Sequence, residues 1–121
     1  MFILILLITY SCNNNNERQG DTIKLTTDKI IFDKNGGSES IFANGDEWYV
    51  TSIEIDGEMI YLENLSEKKY FDLSLDSFNI KRIYKAILIS VDENNSETTR
   101  IMRIFVRDKN YHTVINITQT H

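Results

Sequence analysis

An all-β sandwich is the fold class this chain predicts, and three observations predict it. Residues 23–119 contain fifteen isoleucines but only two alanines, Ala43 and Ala86. β-Branched side chains suit a pleated, half-buried surface, whereas alanine is the best helix former. Apolar residues recur at every second position, with no sustained period of 3.6. Turn-forming clusters separate the runs at short intervals, the spacing expected of a sandwich.

The strands follow in order. The segments 23–26 and 29–33 are the first, and Asn35-Gly36-Gly37 ends the second of them. Strand 38–43 closes at Asn44-Gly45-Asp46, and strand 47–55 at Asp56-Gly57, a dipeptide suited to a two-residue hairpin before strand 58–63. Residues 64–69 are the least patterned and read as a loop or a single helical turn. Strands 69–75 and 79–83 precede strand 85–92, where Ile87, Ile89 and Val91 alternate with Leu88, Ser90 and Asp92. In strand 99–107, Met102, Ile104 and Val106 alternate with Arg103, Phe105 and Arg107. Asp108-Lys109-Asn110 then turns the chain into strand 111–119, with Ile115 and Ile117 on one face. No internal repeat is present.

The first 22 residues have a different character. Nine of the first ten are hydrophobic and none is charged, yet the run is too short to cross roughly 30 Å of hydrocarbon. It has the length of the apolar region of a secretory signal. Ser11 and Cys12 follow, then four asparagines and Glu17-Arg18-Gln19-Gly20. This arrangement resembles a bacterial lipoprotein signal, with Thr9 in place of the usual leucine three residues before the cysteine. The resemblance implies cleavage before Cys12 and a diacylglycerol on its thiol. The expected organisation is a signal peptide at 1–11, an acylated cysteine and flexible tether at 12–22, and a β-sandwich at 23–121. The expected location is the cell envelope, attached to the membrane by lipid, with the membrane face undetermined.

Composition removes several classes of function. A single cysteine forbids an intramolecular disulfide and leaves no CxxC or zinc-ribbon pattern. His112 and His121 are too few and too far apart to suggest a metal site or a nucleophilic triad. No GxSxG, HExxH or P-loop pattern occurs. A net charge of −5 argues against nucleic acid as a partner. No catalytic residue, metal or cofactor is therefore expected. Asp92-Glu93-Asn94-Asn95 lacks the spacing of an EF-hand loop and reads as a solvated turn.

Four segments, in the same order, resemble a BACON (Bacteroidetes-Associated Carbohydrate-binding Often N-terminal) domain. They are Ile31-Phe32 with Gly36-Gly37, then Glu47-Trp48-Tyr49-Val50, then the run from Ile89 to Asn94 with Arg100, and finally the run from Val114 to Gln119. The resemblance covers roughly residues 29–119. It implies an immunoglobulin-like antiparallel sandwich and a carbohydrate or mucin-glycan ligand. Where the family often carries a second tryptophan, this chain has Ser77-Phe78.

A sugar site needs exposed aromatic faces beside polar groups. Trp48 suits the core, and Tyr49 then points to the opposite face. Phe105 lies between Arg103 and Arg107 on the outward side of its strand, so Tyr49, Phe105, Arg103 and Arg107 are the candidate glycan-binding residues. Arg100 and Gln119 read as fold determinants, Arg100 donating to carbonyls of the preceding turn. Lys81, Arg82 and Lys85 read as a wet strand face. The expected function is a non-catalytic, lipid-anchored glycan binder. The alternative is a structural or protein-interaction subunit of an envelope complex, bound to another envelope protein through a sheet edge.

Overall fold

A computed structural model describes residues 22–62 and 68–121. The expected signal, Cys12 and most of the expected tether lie outside the described residues. Nine strands are present among the described residues: β1 (Lys29–Phe32), β2 (Gly37–Phe42), β3 (Tyr49–Ile55), β4 (Glu58–Tyr61), β5 (Tyr70–Leu75), β6 (Phe78–Ile83), β7 (Ala86–Val91), β8 (Arg100–Asp108) and β9 (Tyr111–Gln119). They form a five-stranded sheet, β1-β9-β8-β3-β4, and a four-stranded sheet, β2-β7-β6-β5. All pairings are antiparallel except β1 on β9, which is parallel. The chain is thus the all-β sandwich its sequence predicts, with one parallel pair at a sheet edge.

Residues 23–26 do not form a strand. Only Leu25 bridges, to Ala43. Two backbone bonds join the segment to 42–44, from the Thr26 amide to the Phe42 carbonyl and from the Asn44 amide to the Lys24 carbonyl, but side chains take the reciprocal ones: Asn44 accepts from the Lys24 amide and donates to the Thr22 carbonyl, while the Thr26 hydroxyl accepts from the Phe42 amide. Asn and Thr side chains compete with sheet hydrogen bonds in this way.

The core lies between the sheets. Ile41, Ile80, Ile87 and Ile89 from one side meet Val50, Ile53, Met102, Ile104, Val106, Ile115 and Ile117 from the other, all essentially without solvent contact. Each such side chain contributes about 1.5–3 kcal/mol when fully buried. The turns of the hairpins β3–β4, β5–β6, β6–β7 and β8–β9 all use positive φ, at Asp56 with Gly57, at Asp76, at Tyr84 and at Lys109. For a residue as bulky as Tyr84 that conformation is unfavourable. It is held by two bonds: the Tyr84 amide donates to the Lys69 carbonyl at 2.7 Å, and its carbonyl accepts from Arg82 Nε at 2.9 Å.

A β-bulge in β3 determines what the five-stranded sheet presents to solvent. The register with β8 shifts between Val50 and Ser52, leaving Thr51 as the extra residue. Without the bulge, Tyr49 outward would place Ile53 outward as well. With it, Ile53 enters the core, and Ser52 and Glu54 face out opposite Phe105 and Arg103. A bulge reverses the phase of a strand in this way.

Candidate functional site

The outer face of the five-stranded sheet carries the candidate binding residues, and strand register arranges them in rows. One row runs Tyr61, Ser52, Phe105, Val114 across β4, β3, β8 and β9. A second runs Met59, Glu54, Arg103, Asn116, and ends on Lys29 of β1. A third runs Tyr49, Arg107, His112. The four residues expected from sequence therefore share one face. Tyr61 joins them from the edge strand, 74% exposed. Between Tyr61 and Phe105 in the first row stands Ser52, whose small side chain is buried at 8% exposure.

The two arginines of this face are held differently. Arg103 Nη1 donates to Glu54 Oε1 at 2.7 Å, a charge-assisted bond across the strands. Arg107 Nε donates to the Lys109 carbonyl at 2.7 Å, within its own hairpin turn. Neither guanidinium is stacked on Phe105. The cation–π contacts among the described residues are elsewhere: Arg82 over Trp48 at 3.5 Å and Arg100 over Phe78 at 4.7 Å from ring centroids.

Arg82 corrects the expectation of a wet basic face. It has no solvent exposure and donates to four carbonyls, those of Trp48 (2.7 Å), Asp46 (2.9 Å), Tyr84 (2.9 Å) and Lys68 (3.1 Å). Alternation along β6 explains this, because Phe78, Ile80 and Arg82 are its buried residues. Burial lowers its pKa to about 10, against the opposing pull of the Asp46 and Glu47 carboxylates, so it is charged at neutral pH. Asp46 and Glu47 are engaged by Lys69 at 3.5 and 3.1 Å. The hydrogen bond that Lys69 donates to the Glu47 carboxylate is the main cause that raises the Lys69 pKa. Trp48 is a core residue, and its Nε1 donates to the Gly45 carbonyl at 2.6 Å. Arg82 and Trp48 together tie the 46–48 segment and residue 68 to the β6–β7 turn, a structural node away from the outer face.

Arg100 also departs from expectation. It faces the carboxylates of two hairpin turns, Asp56 at 3.4 Å and Asp76 at 3.9 Å, not carbonyls of the preceding turn. Gln119 is fully buried and donates to the carbonyls of Asp92 (2.8 Å) and Asp33 (3.3 Å), so it links β9 to the segments that follow β7 and β1. The loop containing Asp92-Glu93-Asn94-Asn95 is organised by Asn94, which is buried. Its amide donates to Thr98 and Thr120 carbonyls, and its oxygen accepts from Ser96 twice. That oxygen is committed to the turn. No cluster of three metal-ligating side chains occurs among the described residues.

The four-stranded sheet presents a second feature. Phe42, Ala86, Ile83 and Tyr70 stand opposite one another across all four strands on its outer side. Phe42, Tyr70 and Ile83 are 53, 55 and 40% exposed, and Tyr84 at the adjacent turn is 56% exposed. The result is an apolar band across the width of the sheet.

Neither a protein-family model nor a curated protein sequence matches the chain. Among solved structures, it is similar to a protein from Bacteroides thetaiotaomicron determined by NMR. The match has a TM-score of 0.67 and 16% identity, and covers 88% of this chain and 92% of the other. At that identity the likeness bears on the fold alone.

Proposed function

We propose that this chain is a non-catalytic envelope protein, attached to the membrane by a lipid on Cys12, whose outer five-stranded face binds carbohydrate or mucin glycans. What supports the reading is the meeting of Tyr49, Tyr61 and Phe105 with Glu54, Arg103, Arg107 and Asn116 on one solvent-facing surface. Sugar rings stack their C–H faces on aromatic side chains, and their hydroxyls bond to carboxylates, amides and guanidinium groups. The resemblance of the Glu47–Val50 and Val114–Gln119 segments to BACON domains adds independent support.

A broad glycan array tests the reading. Binding that falls at least tenfold in both Phe105→Ala and Tyr61→Ala, with unchanged melting temperature, is the expected result; no binding to any glycan refutes it. The anchor is tested separately. Cys12→Ala is expected to abolish incorporation of labelled fatty acid and to release the protein from membranes.

The apolar band on the four-stranded sheet favours a second reading, a protein-interaction subunit of an envelope complex. Exposed apolar rows of this extent often mark interaction surfaces. Under that reading, Phe42→Ser with Tyr70→Ser removes a co-purifying envelope protein while glycan binding is unaffected.

A further inference from the structure

We infer that the Tyr49–Arg107–His112 end of the outer face receives the anionic group of an acidic glycan, a carboxylate or sulfate, on Arg107. The inference rests on the carbohydrate reading of this face and specifies the class of sugar.

Charge distribution is the first ground. The chain carries a net −5, yet the outward positions of the five-stranded sheet hold three cations, Lys29, Arg103 and Arg107, against one carboxylate, Glu54. The face is therefore positive on an acidic protein, and such a local field attracts anions. Glu54 neutralises Arg103 through the 2.7 Å contact, which leaves Arg107 as the uncompensated guanidinium beside the aromatic residues.

Geometry is the second ground. The Lys109 carbonyl binds only Nε of Arg107 and so fixes the plane of the group. Its two Nη nitrogens have no protein partner among the described residues, and the side chain is half-buried, so part of its ordering is already accomplished. A guanidinium with its Nη groups available is matched to the two oxygens of a carboxylate or sulfate. Tyr49 stands directly opposite Arg107 on β3, and His112 directly opposite on β9. The row thus offers an aromatic surface, a positioned cation and an imidazole, with no carboxylate among its three residues. Phe105, two residues along β8, is about 6.5–7 Å away along the strand, within the reach of one sugar ring.

The test compares acid and neutral forms of the same sugar. Full-length protein is titrated with oligogalacturonate and its methyl ester, with a sialylated glycan and its desialylated form, and with chondroitin sulfate and its desulfated form. These pairs separate uronate, sialate and sulfate. The expected result is an affinity about tenfold higher for the acid form in at least one pair at 50 mM salt, the size of one charge-assisted contact. That preference is expected to collapse toward unity in Arg107→Gln and in 1 M salt, where exposed charges are screened beyond about 3 Å. Arg107→Lys is expected to keep only part of it. Melting temperatures of the variants within 3 °C of the parent exclude unfolding as the cause. Equal affinity for acid and neutral forms, or a preference that survives in Arg107→Gln, overturns the anionic site and leaves glycan binding standing. Failure of every sugar in both forms overturns the glycan reading itself, and this inference with it.

Discussion

Arg82→Met isolates the energetic value of a buried cation that has no buried anion beside it. The substitution keeps an unbranched apolar stem but removes the donors to the carbonyls of Asp46, Trp48, Lys68 and Tyr84. The bond to Trp48 is fully buried and is assigned about 2 kcal/mol, as for a hydrogen bond to a charged group. The other three are partly buried, so water can replace them in part, and about 1 kcal/mol each is appropriate. Loss of the desolvated stack on Trp48 adds about 2 kcal/mol. Against these stands relief from burying the charge. The depression of the Arg82 pKa from its ordinary value to about 10 corresponds to roughly 3 kcal/mol. The expected net loss is therefore about 3–4 kcal/mol, a large share of the 5–15 kcal/mol that usually holds a domain folded.

Urea unfolding with m held constant measures this loss, and for a domain near 100 residues it lowers the melting temperature by ~15 °C or more. Arg82→Lys retains a charge but not the planar fork, and is expected to lose about 2 kcal/mol. Because the folded and unfolded pKa values of Arg82 both lie well above 8, neither state exchanges its proton between pH 6 and pH 8. The stability gap between parent and Arg82→Met should be the same at both pH values. Replacing a buried ion pair by apolar residues is often neutral or stabilising. A loss below about 1 kcal/mol would show that the four carbonyls find water readily, and would refute the reasoning.

Further outcomes follow from the turns and the outer face. Gly36 has φ +84°, and a Cβ there would overlap the Val91 carbonyl oxygen, so Gly36→Ala should cost more than about 2 kcal/mol in urea unfolding. Gly57→Ala, with φ +90° but open space, should cost about 1 kcal/mol, and Gly45→Ala, with neither constraint, should change stability by less than about 0.5 kcal/mol. Gln119→Leu removes the donors to Asp33 and Asp92 but also an acceptor oxygen that is buried without a partner, so thermal unfolding should report a loss of only about 1–2 kcal/mol. Glu54→Gln breaks the ion pair with Arg103 on a solvent-facing strand, and should alter stability by less than about 1 kcal/mol, with the difference vanishing in 1 M salt.

Several residues were placed correctly by alternation alone. Met102, Ile104 and Val106 enter the core, Arg103, Phe105 and Arg107 face out, and Trp48 and Tyr49 take opposite sides. Period 2 carries this information because each side chain of a strand must take one face or the other. At Arg82, alternation and charge point to opposite faces. Phe78 and Ile80 set a buried phase that includes position 82, but the charge suggested solvent. The signal for the β3 bulge was also present, since Val50 and Ile53 cannot share a face without an extra residue between them. Segment 23–26 makes a single bridge instead of the expected strand, because the Asn44 and Thr26 side chains take the hydrogen bonds reciprocal to its two backbone bonds with 42–44.

The all-β class, the positions of the nine strands among the described residues and most of the division between core and surface are legible in the chain, because they depend on local propensity, alternation and turn chemistry. Folding adds that β1 pairs in parallel with β9, that Glu54 meets Arg103, and that Tyr61 comes into register with Phe105 across Ser52. Pairing partners and registers join residues up to about ninety positions apart, and no local pattern encodes which two strands will lie side by side. The same holds for Arg82, whose carbonyl partners come from segments separated by as many as 36 residues. The candidate surface arises in this way: its residues were visible one at a time, and the register made them a face.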